Sequence, residues 1–243
     1  MTDAKSPFAS AAVFGASGGI GLALVEQLLD GGATRVHAGA RNPLAFDDPR
    51  VSPFPFDLTD EAAIEAAVAG FGEPPELVIV ASGVLTLPDG TGPEKSLRAL
   101  DGAAMAELLA LNTIGPALIA KHVLPTFPRQ GRHVFAALSA RVGSIGDNRI
   151  GGWLSYRASK AALNMLIRNF AIELGRTRPE AVVVGLHPGT VDTSLSQPFQ
   201  GNVPDKQLFS PERSAGHLLD VLSSLGPGDS GGVFDWKGER IVD

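Results

Sequence analysis

The chain lacks cysteine altogether, which excludes disulfide bonds and thiolate chemistry and agrees with a reducing compartment. Basic clusters are also missing from a chain whose net charge is −6, and this argues against nucleic acid as the main partner. No stretch approaches the ~18 uninterrupted apolar residues of a membrane helix. Residues 1–10 carry Asp3 and Lys5 and lack the apolar segment of a signal peptide. We therefore expect a cytoplasmic protein with neither a nucleic-acid nor a membrane partner.

Tyrosine is nearly absent, and the single one, Tyr156, stands four residues before Lys160 at the head of an apolar helical run. Residues four apart share a helix face, so the phenol and the ammonium can reach one reacting centre. A free phenol titrates near pH ~10, and a nearby cation brings that pKa toward the range a general acid or base needs. The alternative is structural, with a packed ring and a solvated lysine.

Apolar runs of two kinds alternate along the chain. Strands are predicted over residues 10–14, 35–40, 51–56, 76–81, 132–138, 181–186 and 233–236. Helices are predicted over residues 20–29, 60–70, 103–123, 156–175 and 210–225, and residues 197–208 read as a loop or lid. This alternation predicts an α/β protein with a parallel sheet and helices on both faces. A length of 243 residues fits a single domain over residues 1–243.

Glycines cluster between the first predicted strand and helix, in the order Gly-x-x-x-Gly-x-Gly. Such a turn lets the backbone approach a pyrophosphate, which then sits on the free N–H groups of the helix N-terminus. A structural turn is the alternative, but the position after the first strand favours a dinucleotide site. Its candidate ligands are Gly15, Ser17, Gly19, Ile20 and Gly21.

The end of the second predicted strand bears on which dinucleotide is bound. An NAD site usually places an acid there, whereas an NADP site accommodates the 2′-phosphate with an arginine. This chain has Arg41 and no acid between Arg35 and Asn42. A guanidinium suits phosphate through charge-assisted bonds, so NADP(H) is favoured over NAD(H). The alternative is that Arg41 is an ordinary exposed cation.

Together, the glycine turn and Tyr-x-x-x-Lys resemble the short-chain dehydrogenase/reductase family over nearly the whole chain. The resemblance implies a Rossmann-type, doubly wound fold, and it implies further site residues. Asp57 and Leu58 would contact adenine, and Asn112 would join a proton relay. The nicotinamide loop would supply Pro188, Gly189, Val191 and Thr193. Val80-Ala81-Ser82-Gly83 stands where the family commonly has Asn-x-Ala-Gly, and Ala81, Ser82 and Gly83 of this stretch are further candidate cofactor contacts.

Two stretches look most like the subgroup of C-factor signalling proteins and sniffer-type carbonyl reductases. One runs from residue 139 to Lys160, and the other is Ser-Gly-Gly-Val-Phe-Asp-Trp at residues 230–236. The catalytic serine departs from the family pattern, because its usual position, three residues before Gly143, holds Ala140. Ser139 could swing in, Ser144 could substitute, or the enzyme could lack this serine. We favour Ser139, although strand alternation would point it away from Tyr156.

The resemblance implies hydride transfer between NADP(H) and a carbonyl or alcohol substrate, with carbonyl reduction as the favoured direction. Tyr156 would be the proton donor and Ser139 would polarise the oxygen. Lys160 would tune the phenol and, with Tyr156, contact the nicotinamide end of the cofactor by binding its ribose hydroxyls, and Asn112 would hold a water that links Lys160 to solvent. A dinucleotide-binding signalling protein with little turnover is the alternative. A homodimer or homotetramer is expected from the family. The scattered histidines predict no metal site. Substrate specificity is expected in residues 85–100 and 194–209, with an apolar pocket from Trp153, Leu154, Phe199 and Phe209.

Overall fold

The computed structural model of the chain describes residues 8–202, 204 and 207–243. Most of the segment in which we predicted no signal peptide, residues 1–7, therefore lies outside the described residues. The same holds for three residues of the predicted loop over 197–208, namely 203, 205 and 206.

Within the described residues, nine strands form two sheets. They are β1 (Ser10–Phe14), β2 (Arg35–Ala40), β3 (Val51–Pro55), β4 (Leu77–Val80), β5 (Val134–Leu138), β6 (Val182–His187), β7 (Thr190–Val191), β8 (Leu208–Phe209) and β9 (Val233–Asp235). Seven of them make a parallel sheet in the order β3-β2-β1-β4-β5-β6-β9, and β7 pairs with β8. The order reverses direction beside β1, so the carboxyl ends of β1 and β4 flank the crevice where such folds bind ligands.

Six α-helices in the described part of the chain cover the sheet. They are α1 (Gly19–Asp30), α2 (Glu61–Ala69), α3 (Gly102–Leu109), α4 (Gly115–Val123), α5 (Leu154–Gly175) and α6 (Pro211–Ser224). Successive strand residues point to opposite faces, so Val13 packs in the core with α1 and α6, and Phe14 packs in the core with α2, α4 and α5. The predicted Rossmann-type sheet with helices on both faces is thereby confirmed.

The single helix predicted over residues 103–123 is wrong in one respect. After α3, residues Ala110–Ile114 form a π-helical turn before α4 begins. Pro116 has no N–H, so the carbonyl of Asn112, four residues earlier, loses its α-helical donor. The Asn112 amide also exchanges two hydrogen bonds with the backbone of Val84, each 2.8 Å long. The turn therefore widens at a predicted site residue.

Among the described residues, Gly102–Thr126 is the stretch whose length and composition would allow it to cross a membrane. It contains α3, the π-helical turn and α4. Within the fold, α3 packs against α5 and α4 packs against α2.

Candidate active site

The glycine turn joins β1 to α1 and has no room for side chains at two positions. Gly15 has φ +100°, and a Cβ on it would lie 2.7 Å from the Ser82 hydroxyl. A Cβ on Gly21 would lie 2.0 Å from the carbonyl oxygen of Gly15. No side chain caps the helix N-terminus, and Ser17 and Gly19 beside it are exposed. The exposed N–H groups and the helix dipole fit a pyrophosphate.

Residues at the ends of the neighbouring strands border this turn. Ala81 N donates to the carbonyl of Phe14 over 2.8 Å, and the Ser82 hydroxyl donates to the same oxygen over 3.2 Å. A Cβ on Gly83 would lie 3.2 Å from Asn112 Oδ1 and 3.5 Å from Lys160 Nζ. Gly83 thus lies between the glycine turn and the side chains of Asn112 and Lys160, which belong to the predicted relay.

The adenosine end of the predicted site holds a carboxylate and a cation. Hydrogen bonds from the Thr59 hydroxyl and backbone lower the pKa of Asp57, and the charge of Arg41 lowers it further. Arg41 is exposed at the end of β2. Leu58 packs against Gly115, where a Cβ would lie 2.8 Å from Leu58 Cδ2. An exposed guanidinium at this strand end can bind a phosphate ester.

The predicted nicotinamide loop meets the glycine turn. Gly189 has φ +80°, and a Cβ on it would lie 2.8 Å from the Phe209 ring. Two residues of this loop, including Val191, form β7. Thr193 Cγ2 would lie 2.9 Å from a Cβ on Gly19. The loop between Pro188 and Thr193 therefore closes over the N-terminus of α1.

Tyr156 and Lys160 lie one turn apart on α5, and both are buried. Lys160 Nζ donates to the carbonyl oxygen of Leu138 over 2.8 Å and lies 5.8 Å from the centroid of the Tyr156 ring. Burial raises the pKa of Tyr156 to about 12 and lowers the pKa of Lys160 to about 8. The expected lowering of the Tyr156 pKa by the cation is therefore wrong, because burial dominates. The phenol stays protonated at neutral pH, which suits a proton donor.

Asn112 is fully buried beside this pair. Besides its two bonds with Val84, its side-chain nitrogen donates to the Ser159 hydroxyl over 3.3 Å. Since Gly83 is close to both Asn112 Oδ1 and Lys160 Nζ, the two predicted relay groups converge at one point of the fold.

Ser139 and Ala140, which follow β5, bear on which residue could supply the catalytic hydroxyl. The Ser139 hydroxyl donates to Asn164 Oδ1 over 2.6 Å, two helical turns along α5 from Tyr156. Ala140 belongs to a small apolar cluster with Tyr156 and Leu85. The Ser144 hydroxyl accepts from the backbone N–H of Asp147 over 3.0 Å. At this strand end it is thus Ala140 that packs with Tyr156, as side-chain alternation requires.

Aromatic rings border the phenol. Trp153 lies 6.2 Å from Tyr156 and 5.3 Å from Phe199 between ring centroids, and Val142 also packs there. Trp153 adopts φ 51°, which is uncommon for a bulky side chain. By contrast, Phe209 packs against Trp236, away from this cluster. Of the residues predicted for an apolar pocket, Trp153 and Phe199 therefore lie in this cluster, together with Leu85, Ala140 and Val142.

Histidine offers no further chemistry next to Tyr156. His187, before the nicotinamide loop, is kept neutral because burial, together with the charge of Arg141, lowers its pKa to about 4. Among the residues that the model describes, no group of three or more His, Cys, Asp or Glu side chains could hold a metal ion.

Comparisons with known proteins agree with this architecture. Residues 9–203 match the family model described as short chain dehydrogenase. A 1-hydroxy-2-glutathionyl-2-methyl-3-butene dehydrogenase of Rhodococcus sp. (strain AD45) is 33% identical over 226 residues, covering 90% of this chain and 92% of the relative. The C-signal of Myxococcus xanthus is 36% identical over 143 residues, covering 58% of this chain and 80% of the relative.

Among solved structures, NADPH-bound carbonyl reductase from chicken fatty liver superimposes with a TM-score of 0.83. It is 29% identical, and the match covers 97% of this chain and 94% of that one. These relatives confirm the predicted resemblance to C-factor proteins and carbonyl reductases. The chain is an oxidoreductase that belongs to the short-chain dehydrogenase family.

Proposed function

We propose that this protein reduces the carbonyl group of a small molecule with NADPH. The observation that carries the proposal is the buried pair of Tyr156 and Lys160, which lies beside Gly83 at the edge of an uncapped glycine turn. The Rhodococcus dehydrogenase and the NADPH-bound carbonyl reductase support it as relatives with oxidoreductase chemistry.

The residues present fit a nicotinamide dinucleotide. The turn from Gly15 to Gly21 leaves space for a pyrophosphate against the α1 N-terminus. Other proposed contacts line the path from adenosine to nicotinamide, namely Arg41, Asp57, Leu58, Ala81, Ser82, Gly83, Pro188, Gly189, Val191 and Thr193. When bound, the reduced nicotinamide supplies the hydride.

Tyr156 then donates its phenolic proton to the carbonyl oxygen as the alkoxide forms. The raised pKa keeps that proton in place at neutral pH until charge develops on the substrate. Lys160, whose Nζ lies near the ring, stabilises the resulting phenolate through its positive charge. Asn112 holds the buried end of the relay through which the proton is replaced.

Arg41 is the proposed determinant of NADP(H) over NAD(H). We expect Arg41→Ala to weaken NADPH binding about tenfold or more and to leave NADH binding within about twofold, because only NADPH carries the 2′-phosphate. Titration followed by nicotinamide fluorescence measures both. Arg35→Ala is the matched control, since Arg35 is exposed at the opposite end of the same strand. Equal loss of both nucleotides in Arg41→Ala would contradict the assignment.

The second candidate function is signalling with little catalytic turnover. The similarity to the C-signal of Myxococcus xanthus favours it. It predicts nucleotide binding without carbonyl reduction, so the wild-type protein would bind NADPH and consume none. The buried proton-donating pair favours the reductase, since binding alone has no need of it.

We also propose a homodimer or homotetramer in the cytoplasm. Met165 and Ile172 on α5, and Ile114 before α4, are large apolar side chains exposed to solvent. Light scattering tests the assembly, and a molar mass near the 25.2 kDa of one chain would contradict it.

A further inference from the structure

Glu94 is a buried carboxylate in a loop that is largely exposed. Only 8% of this residue is accessible, whereas Gly92 and Lys95 face solvent. Its Oε2 accepts from the backbone N–H of Ser155 over 3.1 Å, and its Oε1 accepts from the Ser155 hydroxyl. Its backbone carbonyl accepts from Trp153 N over 2.6 Å. One loop residue thus makes three hydrogen bonds to the start of α5.

The N-cap residue of α5 supplies no capping side chain. Trp153 occupies the N-cap position, and its indole makes no capping bond. The first N–H groups of a helix need acceptors from outside it, and negative charge is favourable there. Burial raises the pKa of Glu94, but hydrogen bonds from Ser155 and the backbone outweigh this and leave the pKa lowered. The carboxylate therefore stays charged at the helix N-terminus.

The capped turn is the one that carries Tyr156. Tyr156 directly follows Ser155 and is the third residue of α5. Lys160 lies one turn further on and has its own anchor in the Leu138 carbonyl. Fraying of the first turn would therefore displace the phenol and leave the ammonium in place.

We propose that Glu94 is a positioning residue, which caps α5 from a neighbouring loop and thereby fixes the phenol of Tyr156. This inference rests on the proposed reductase function. A displacement of about 1 Å at a reacting group costs on the order of 10²-fold in rate, so one lost cap can have a large catalytic effect.

The test compares Glu94→Ala with Glu94→Gln and with Asp60→Ala. Asp60 caps α2 by accepting from Ala63 N over 3.1 Å, so its variant removes a cap from a helix that does not carry Tyr156. Glutamine can accept from Ser155 N and donate to the Ser155 hydroxyl, so it restores the bonds without the charge. We expect Glu94→Ala to lower kcat by about 10- to 100-fold, Glu94→Gln to recover most of that loss, and Asp60→Ala to stay within about threefold.

The affinity for NADPH separates positioning from unfolding. All three variants should bind NADPH within about twofold of wild type, because the glycine turn and Lys160 are untouched. A kcat of Glu94→Ala within about twofold of wild type would overturn the inference. So would an equal loss of kcat in Asp60→Ala, or a Glu94→Gln variant as slow as Glu94→Ala.

A second readout does not require turnover. Hydrogen exchange followed by NMR should show faster exchange of the Ser155 amide in Glu94→Ala, with the Ala63 amide unchanged. If the wild-type protein reduces no carbonyl, the proposed function fails on that measurement alone. Unchanged exchange at Ser155 would overturn the cap itself.

Discussion

Tyr156→Phe should lose carbonyl reduction by about 10³-fold or more in kcat, because phenylalanine has no proton to donate. The substitution removes one oxygen and keeps the ring, so packing with Trp153 and Leu85 should persist. NADPH affinity should stay within about threefold of wild type, since the glycine turn is unchanged. Steady-state NADPH oxidation and a fluorescence titration measure the two quantities.

Tyr156 is the single tyrosine of the chain, which makes the result of Tyr156→Phe easier to interpret. No other phenol in the chain can take over the proton transfer. Turnover within tenfold of wild type would mean that the proton comes from elsewhere. Loss of NADPH binding in parallel with turnover would make Tyr156 a structural residue.

Ala140→Ser should accelerate reduction of unactivated ketones by about tenfold. One preorganised donor to a developing oxyanion is worth about 10²- to 10³-fold, and a newly introduced hydroxyl should recover part of that. Ala140 packs in the cluster with Tyr156, so the added hydroxyl lies on the side of the phenol. A buried hydroxyl without substrate should lower the melting temperature slightly.

Ser139→Ala is the paired variant. Its hydroxyl is bonded to Asn164, so we expect a loss of activity below about tenfold, caused by the loosened contact with α5. A loss above about 100-fold would assign the catalytic hydroxyl to Ser139, in contradiction to the placement of Ala140 beside Tyr156. No change in Ala140→Ser would indicate that the substrate oxygen lies away from residue 140.

The sheet and the cofactor turn could be predicted from sequence because each depends on local patterns. Strand and helix periods alternate cleanly, and only glycine fits positions such as Gly15 and Gly21. The spacing of Tyr156 and Lys160 likewise fixes their shared helix face. These signals are carried by residues close together in the chain.

The remaining features depend on contacts between distant residues. The π-helical turn arises where Asn112 bonds to Val84, 28 positions away. The burial of Glu94 arises from Ser155, 61 positions away, although Glu94 lies in a stretch that looks like a solvated loop. Pro116 was a local sequence signal for the interruption of the helix. No local signal in the sequence indicated that Glu94 would be buried.

Hydride transfer from NADPH to a carbonyl carbon is the reaction that we propose for this protein. The most direct test incubates the purified protein with NADPH deuterated at the nicotinamide C4 and a panel of aromatic and aliphatic aldehydes and ketones. NMR and mass spectrometry then locate the label. We expect deuterium on the carbinol carbon of at least one product, formed in a reaction that Tyr156→Phe abolishes. Tight NADPH binding without transfer of deuterium to any member of the panel would contradict the proposal.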